Sequence, residues 1–399
     1  MRPVVILGAG VVGMTTAYFL AKKGHPVTVL DAAVAPGEGG ASVGNGGQLS
    51  FSYTDALASP SLILNLPKYL LKQDPAFRFH PTLRLDFWRW MTSFLFNASA
   101  GRFERNTIEV LKLAVESRME FSKIGSDIAF DRRKSGKLFL FSSLASLRKA
   151  ESLVHSKNKF GAALETLTVQ EATALEPALA AYKQAVAGAI WSPYDEAGDS
   201  QLFCRALHDH LREMHGVNFR FSTVVEGLKK EGSTLVAAIT DKGEVSCSCV
   251  VIALGTNSAR IAKTIGIRLP IWPMQGYSMT VRATARAPEA SITDTANKIV
   301  FCRLGDRLRI AGLADLGLLH PKFDPQRFAV LLGVARRLFP EAGDYETLLH
   351  SWSGLRPMTP DSQPIVGGSA VHGVFINCGH GSLGWTLSMG TAARLAMLI

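Results

Sequence analysis

The chain has 399 residues, more than one hydrophobic core usually serves, so two lobes are expected. Its composition, 47% apolar and 19% charged, is that of an ordinary globular protein without low-complexity or disordered stretches. The formal net charge is +10, but no basic run has the context of a zinc finger, an RNA-binding platform or a helix-turn-helix. No nucleic-acid partner is therefore expected.

The five cysteines are scattered along the chain, and only Cys247 and Cys249 are near neighbours. They give neither a disulfide framework nor a zinc-ligand spacing, so no metal site is predicted and a reducing, cytoplasmic setting is favoured. The apolar stretch near the amino end is interrupted by glycines and lacks a small-residue cleavage site. It therefore fits neither a secretory signal nor a membrane anchor.

The first predicted element leads into a nucleotide-binding turn. Val4–Leu7 has the β-branched character of a short buried strand. The glycines that follow have the spacing G-x-G-x-x-G. In that pattern Gly8 permits the tight turn, Gly10 leaves room for a pyrophosphate, and Gly13 lets the next helix pack on the strand.

A helix is predicted from Val11 to Lys23, with Val11 and Val12 in its first turn. The free N–H groups and partial positive charge of this turn face the phosphates. The next strand ends at Asp31, 18 residues after Gly13. Its carboxylate is placed to accept hydrogen bonds from ribose hydroxyls and would repel a 2′-phosphate. These features indicate an adenosine diphosphate moiety, as in FAD or NAD, rather than NADP.

Two further segments favour FAD over NAD. Gly37–Gln48 is a second glycine-rich loop that follows directly after the second strand, and it offers an extended cofactor a bed of backbone. The β-branched strand Cys249–Ala253 ends close to Gly255. Glycine at the carboxyl end of such a strand is typical of the ligand-binding edge of an open α/β sheet.

The carboxyl-terminal segment supplies a second helix start. A strand predicted over Val374–Asn377 leads through Gly379, Gly381 and Gly384 into a terminal helix. The N–H groups and dipole of that helix can stabilise negative charge on a reduced flavin. Taken alone, the segment is equally compatible with an ordinary strand-to-helix turn.

In combination, these segments resemble flavoproteins of the D-amino-acid dehydrogenase small-subunit type, within the D-amino-acid oxidase superfamily. The motifs that carry the resemblance are, in chain order, VVILGAGVVG, GNGGQLSFSY, DEAGDSQLF, GVNFRFSTVV, PMQGYSMT, GLRPMTPD and GHGSLGWT. The resemblance implies an α/β fold in which a Rossmann-type, glutathione-reductase-like FAD-binding domain carries a second, α+β substrate domain on a mixed or antiparallel sheet.

The implied reaction is oxidative deamination of D-amino acids to 2-oxo acids and ammonia, by hydride transfer from Cα to flavin N5. A quinone or respiratory-chain electron acceptor is implied as the partner. Rival activities that share the motifs are a secondary-amine dehydrogenase acting on hydroxyproline, proline or sarcosine, and an oxidase that uses oxygen. A non-catalytic flavin-binding subunit is the alternative from another class.

The resemblance also implies roles for individual residues. Arg356 matches the arginine that binds the substrate carboxylate, for which a guanidinium offers a planar bidentate fork. Tyr53 and Tyr277 are candidates to contribute hydroxyls to the substrate, with core packing as the alternative. His380 is a candidate to tune the flavin, with a structural hydrogen bond as the alternative, and no general base is assigned.

The residues expected to bind the cofactor belong to the first turn, the second loop, the adenine position and the terminal loop. They are Gly8, Gly10, Val11, Val12, Gly13, Asp31, Ser42, Gly47, Gln48, Leu49, Val225, Gly255, Gly379, His380, Gly381, Ser382, Leu383, Gly384, Trp385 and Thr386. For Trp385 a place in the core is the alternative.

The predicted FAD-binding domain comprises residues 1–55, 165–262 and 345–399, and the predicted substrate domain comprises residues 56–164 and 263–344. Residues 62–103 mix basic residues with Phe, Trp and Leu. This mixture is typical either of contact with an anionic bilayer or of helices whose apolar stripes face the core. The expected location is cytoplasmic, with peripheral contact at the inner face of the cytoplasmic membrane.

Overall fold

The computed structural model describes residues 1–64 and 74–399. The α-helices that lie wholly within these residues are α1 (Val11–Lys22), α2 (Leu85–Asn97), α3 (Ala100–Ser122), α4 (Leu144–Asn158), α5 (Val169–Leu175), α6 (Ser200–His215), α7 (Ser258–Lys263), α8 (Pro325–Leu338) and α9 (Gly384–Ala396).

The strands in the amino-terminal part are β1 (Val4–Leu7), β2 (Val27–Leu30), β3 (Gln48–Leu49), β4 (Phe77–Phe79), β5 (Lys137–Phe141), β6 (Glu165–Leu167), β7 (Gly188–Ser192), β8 (Glu196–Ala197), β9 (Asn218–Arg220) and β10 (Val225–Glu231). Those that follow are β11 (Thr234–Thr240), β12 (Gly243–Ser246), β13 (Val250–Ile252), β14 (Trp272–Ala283), β15 (Ser291–Asp294), β16 (Ile299–Leu304), β17 (Arg307–Leu316), β18 (Gly343–Met358), β19 (Ile365–Gly368) and β20 (Val374–Cys378).

The first sheet, called the parallel sheet below, has the strand order β19-β20-β13-β1-β2-β9. All of its strands run parallel except β19, which is antiparallel to β20. The strands predicted at the first turn, before Gly255 and before the terminal helix are therefore neighbours. The short β1 is buried along its whole length, as expected for a parallel strand covered on both faces.

Alternate residues of β1 enter two different cores. Val4 and Ile6 pack with α1, α6 and α9 on one face of the parallel sheet. Val5 and Leu7 pack with the antiparallel meander β10-β11-β12 and with α7 on the other face. This layering of helices, parallel sheet and meander is the predicted nucleotide-binding arrangement.

A second sheet, called the large sheet below, has the order β18-β14-β17-β16-β15-β5-β7-β6, with β4 pairing on β17. It is mixed, because β5 runs parallel to β15 while most other neighbours are antiparallel. One face of its β14–β17 region packs on α8 through Phe328, Leu331 and Leu338. Asp324 caps α8 by accepting hydrogen bonds from the Gln326 and Arg327 N–H groups.

Three strands from segments predicted for the FAD-binding domain pair in the large sheet. β6 pairs with β7, β7 pairs with β5, and β18 pairs with β14. Residues 165–192 and 345–358 were assigned to the FAD-binding domain. Alternating apolar residues identify a strand but not its partner, which here lies up to 86 residues away in the chain. The division of the chain into two domains stays a prediction.

Candidate active site

The first glycine turn is tight enough to require its glycines. Gly8 has a φ of +107°, and a Cβ on it would lie 2.5 Å from the carbonyl oxygen of Ala253. A Cβ on Gly13 would lie 1.8 Å from the carbonyl oxygen of Gly8. The start of α1 is therefore pressed against the end of β1, as a dinucleotide turn requires.

The start of α1 is open to an anion. Gly10 is the N-cap residue and has no side chain to cap the helix, and the first turn contains no acidic residue. The Val11 N–H donates to Ser42 Oγ over 3.1 Å, which ties the second glycine loop to this helix start. Helix starts of this kind bind phosphate groups, so Gly10, Val11, Val12 and Ser42 fit the pyrophosphate of FAD.

Asp31 is held rigidly beside the turn. Its Oδ2 accepts the Ala9 N–H at 2.5 Å and its Oδ1 accepts the Ala33 N–H at 2.7 Å. Each carboxylate oxygen retains a lone pair with which it can accept a ribose hydroxyl. Val225, the expected adenine contact, lies near this point, because the Thr223 N–H donates to the Asp31 carbonyl at 2.9 Å. The Val225 carbonyl accepts from Arg260 Nη2 at 3.1 Å.

The second glycine loop crosses one face of the large sheet. Arg309 Nη1, buried on β17, donates to the Asn45 carbonyl over 2.7 Å. Gly44 lies directly against the indole of Trp352, since a Cβ on Gly44 would be 2.1 Å from Trp352 Cδ2. Gly47 has a φ of +75° and packs on Cys302, whose Sγ would be 3.0 Å from a Cβ there.

The side chains of Gln48 and Leu49 form contacts with other parts of the protein. Gln48 Nε2 donates to the carbonyls of Ile292 and Phe301 at 3.3 and 3.4 Å, and Leu49 is fully buried in the core. The Leu49 side chain is therefore closed to a cofactor, whereas Gln48 retains its side-chain oxygen.

The terminal loop meets the other two glycine segments. Gly379 and Gly381 both have left-handed backbone, with φ of +78° and +57°. Thr386 Oγ1 accepts the Ser50 N–H over 3.0 Å, which joins the terminal loop to the second loop. The start of α9, like that of α1, lacks a capping side chain and an acidic residue. The two helices pack through Thr15 Oγ1, which donates to the Ser388 carbonyl over 3.1 Å.

Gly255 follows the strand that separates these two helix starts. It lies three residues after the end of β13 with a φ of +57°, and the space where a Cβ would stand contains no atom within 4 Å. The residue therefore lies at an open position beyond the carboxyl edge of the parallel sheet.

His380 and Trp385 are engaged in the protein interior. His380 is buried with its Nε2 and Thr391 Oγ1 3.1 Å apart, and burial lowers the pKa of its imidazole to about 3. The ring is therefore neutral, and its hydrogen bond fits the structural alternative. Trp385 donates its indole N–H to the Gly198 carbonyl at 3.1 Å and packs among aromatic rings. Its side chain is accounted for by the core.

Arg356 is seated on β18 opposite Met274 of β14. Its guanidinium lies over Gly276, where a Cβ would be 2.1 Å from Nη2, and Nη1 donates to the Leu313 carbonyl over 3.1 Å. Burial lowers the pKa of Arg356 to about 10, against the opposing influence of Asp315, so the group stays cationic at neutral pH. Among the described residues it forms no ion pair.

Tyr277 faces away from Arg356. In the β14–β18 register Gly276 pairs with Gly354 and Tyr277 with Ser353, so Tyr277 lies on the opposite face of the sheet from the guanidinium. Its hydroxyl accepts from Gln275 Nε2 over 2.6 Å in the core under α8, and burial raises the pKa of Tyr277 to about 12. The contact of the Tyr277 hydroxyl with the substrate stays a prediction, and the place of Tyr277 on the opposite face of the sheet does not favour it.

Tyr53 is also apart from Arg356. Its ring stacks on Phe139 of β5 with the centroids 4.3 Å apart, and burial raises the pKa of the phenol. In the strand order, β5 is separated from β18 by β14, β17, β16 and β15, a distance of about 24 Å at ordinary strand spacing. The structure therefore does not bring the two predicted tyrosines to the arginine.

Several residues near Arg356 were not identified from the sequence. They are Gly276, Ser278, Arg309, Trp352 and Gly354. Trp352 and Gly354 could have been inferred from the sequence, because they precede Arg356 by four and two positions, and residues at these spacings in a strand share a face. The contribution of β14 could not be inferred without the register.

The FAD dependent oxidoreductase family model matches residues 3–398, so the chain belongs to that family. It is 38% identical to the D-amino acid dehydrogenase of Paramagnetospirillum magneticum, over 99% of this chain and 94% of the relative. It is 37% identical to D-amino acid dehydrogenase 2 of Ralstonia nicotianae, over 99% and 96%. The predicted family resemblance is confirmed.

Solved structures show the same fold. Glycine oxidase from Geobacillus kaustophilus aligns with a TM-score of 0.74 at 24% identity, covering 100% of this chain and 94% of that one. L-proline dehydrogenase from P. horikoshii aligns with a TM-score of 0.74 at 19% identity, covering 100% and 92%. The predicted fold class, FAD as the cofactor and an oxidoreductase activity are confirmed. The role of each individual site residue stays a prediction.

Proposed function

We propose that this chain oxidises D-amino acids to 2-oxo acids and ammonia with FAD as the oxidant. The observation that carries the proposal is the Arg356 guanidinium, which lies on Gly276 and forms no salt bridge among the described residues, although the charge of Asp315 acts on it. A desolvated cation of this kind is stabilised by a carboxylate, the group common to all amino acids. The D configuration is supported by the names of the relatives that align over 94–96% of their own length.

Arg356 has the task of orienting the substrate. Its fork binds the two carboxylate oxygens, and the hydrogen bond from Nη1 to the Leu313 carbonyl fixes the plane of the fork. Orientation of this kind can contribute much of the barrier reduction in a reaction that needs close alignment of two groups. Bound FAD supplies a two-electron oxidant that accepts the hydride from Cα.

The reaction needs little acid–base assistance from the protein. The substrate loses a hydride from Cα and a proton from the amino group, and water then hydrolyses the imino acid to the 2-oxo acid and ammonia. His380 is neutral and its Nε2 is directed to Thr391, so it is not assigned as the base. Substrate that binds with a neutral amino group needs no dedicated base.

Anaerobic reduction of the bound FAD tests the proposal. D-alanine should bleach the flavin absorbance, whereas L-alanine should not. D-proline, the hydroxyproline isomers and sarcosine, tested side by side, identify a secondary-amine dehydrogenase if they bleach the flavin in place of D-alanine. Turnover with a dye acceptor but little peroxide in air distinguishes a dehydrogenase from an oxidase. Failure of both D-alanine and D-leucine to reduce the flavin contradicts the proposed substrate class.

We further propose that electrons pass to a quinone at an anionic bilayer surface. The outer side of α2 supports this, since it exposes Leu85, Trp88 and Phe96 beside Arg84 and Arg89. An aromatic and basic face of this type suits the headgroup level of an anionic membrane. The described residues include no helix that is both long and apolar enough to span a membrane.

The inner side of α2 agrees with the alternative prediction for residues 62–103, in which the apolar stripes of the helices face the core. Phe87, Trp90 and Phe94 are buried there against Trp272 and Met358. The helix therefore presents apolar residues both to the core and to solvent. Part of the predicted interface segment, LPKYLLKQ, lies outside the described residues.

Cosedimentation with vesicles tests the membrane proposal. The holoenzyme should sediment with vesicles containing phosphatidylglycerol and not with phosphatidylcholine alone, and high salt should release it. Replacing Trp88 and Phe96 by Ser should abolish sedimentation. Met214→Ser, which changes a still more exposed apolar residue on α6, is the control and should have no effect. Sedimentation that is unchanged in the double variant contradicts this proposal.

A further inference from the structure

On one face of the large sheet, the side chains of Arg356 and Trp352 lie over two glycines that pair with each other. Gly276 of β14 and Gly354 of β18 are direct partners in the register. A Cβ on Gly276 would lie 2.1 Å from Arg356 Nη2, and a Cβ on Gly354 would lie 2.1 Å from Trp352 Cζ2. The guanidinium and the indole therefore cover adjacent positions of one glycine pair.

The pairing of Gly276 with Gly354 limits the distance between the Arg356 guanidinium and the Trp352 indole. Cβ atoms of directly opposite residues are about 4.5–5.5 Å apart, so the nearest atoms of the guanidinium and the indole lie within about 10 Å. A carboxylate bound to Arg356 would have its Cα about 4–5 Å from the guanidinium nitrogens, given ordinary charge-assisted hydrogen-bond lengths. A side chain on that Cα is then within reach of Trp352.

Trp352 is fixed rather than free to swing. The opposite part of its ring lies against Gly44 of the second glycine loop, where a Cβ would be 2.1 Å from Cδ2. The half-buried indole is therefore clamped between that loop and Gly354. An aromatic group held in this way forms a rigid apolar wall.

Ser278 gives an independent sign of a ligand in this place. It pairs directly with Trp352, so its side chain points to the same face as the indole and the guanidinium. Its Oγ is buried and has no hydrogen-bond partner among the described residues. Buried hydroxyls are normally paired, so a polar ligand atom above this row would complete the site.

We infer that Trp352 contacts the side chain of the substrate and selects D-amino acids with apolar side chains long enough to reach the indole. This inference rests on the proposed function, because it takes Arg356 as the carboxylate site. D-leucine is the model substrate that reaches Trp352, and D-alanine is one whose methyl group is too short to pack on the ring.

Binding of carboxylates that cannot be oxidised tests the contact. Propionate and 4-methylpentanoate correspond to D-alanine and D-leucine without the amino group, and their Kd values follow from difference spectra of the bound FAD. In the wild-type holoenzyme 4-methylpentanoate should bind more tightly than propionate. Trp352→Ala should reduce that ratio at least tenfold, while Trp352→Phe should keep most of it.

Trp191→Ala is the matched control. Trp191 also lies over a glycine of the large sheet, since a Cβ on Gly136 would be 1.9 Å from its Cη2, but it belongs to β7, far from Arg356 in the strand order. The control should leave the ratio unchanged. FAD content is measured for each variant, because Trp352 also supports the second glycine loop.

Kinetics give a second readout. The ratio of kcat/KM for D-leucine to that for D-alanine should fall at least tenfold in Trp352→Ala, in parallel with the Kd ratio. An unchanged or increased Kd ratio in Trp352→Ala overturns the inference. If the wild type binds both carboxylates but oxidises neither amino acid, the proposed function fails while the Kd ratios still decide the role of Trp352.

Discussion

Gly276→Ala should displace the Arg356 guanidinium from its position over Gly276 without changing a charged or polar group. The new Cβ would lie 2.1 Å from Nη2 and 2.4 Å from Cζ, whereas ordinary contacts begin at 3.4 Å. The guanidinium must therefore move by about 1.3 Å or the strands must separate. Gly276 does not have positive φ, so the effect is steric and not a matter of backbone strain.

The expected loss follows from the displacement. Moving a positioning group by about 1 Å can cost about 100-fold in rate, so kcat/KM for D-alanine should fall by roughly this factor, or about 2.7 kcal/mol. FAD content should stay near that of the wild type, since the atoms nearest a Cβ on Gly276 all belong to Arg356 and not to a glycine loop. The assay is steady-state kinetics with a dye acceptor, together with flavin absorbance and Tm.

Gly333→Ala is the control for this change. Gly333 lies within α8, and a Cβ on it would meet no atom within 4 Å. That variant should keep wild-type kinetics and gain up to about 1 kcal/mol in stability from helix propensity. If Gly276→Ala retains FAD and has near wild-type kcat/KM, the placement of the substrate carboxylate on Arg356 is refuted.

Other changes test other parts of the site. Gly13→Ala places a Cβ 1.8 Å from the Gly8 carbonyl oxygen and should yield protein with little bound FAD. Gly101→Ala is the control, because its Cβ meets no atom within 4 Å, and it should bind FAD normally. Equal flavin absorbance in the two variants would contradict the role of the turn. Arg356→Ala should keep FAD but lose about 3 kcal/mol in kcat/KM, and steady-state kinetics like those of the wild type would exclude the assignment. Burial lowers the pKa of Lys137 from 10.5 to about 8. Between these two pH values the unfolded chain binds more protons than the folded chain, so the free energy of unfolding should rise with pH there. Urea unfolding at pH 8 and pH 10 should show a smaller rise in Lys137→Met, and an unchanged rise would rule out Lys137 as its source.

The cofactor turn could be predicted from sequence because its determinants are local. Gly8, Gly10 and Gly13 act on backbone within a few residues of themselves, and Asp31 follows at the end of the next strand. The terminal helix start was recognised for the same reason, from the glycines before it. The structure adds that α1 and α9 pack directly on each other, through the bond between Thr15 and Ser388.

The substrate side of the site depends on contacts that sequence does not encode locally. The seat of Arg356 is Gly276, 80 positions earlier, and the two meet only because β14 and β18 pair in one register. The same register turns Tyr277 to the opposite face. A shift by one residue would reverse both faces, so no reading of the strand alone could have decided between Tyr277 and Ser278.

The bond between Thr15 and Ser388 spans 373 residues, which has a consequence for synthesis. At ordinary translation speeds of about 5–20 residues per second, α1 waits roughly 20–75 s on the ribosome before α9 exists to cover it. During that interval the face of α1 that packs on α9 has no final packing partner, although α6 can already cover another part of the same core. The part of the flavin site that α9 contributes can thereby form only after the residues of α9 have been synthesised.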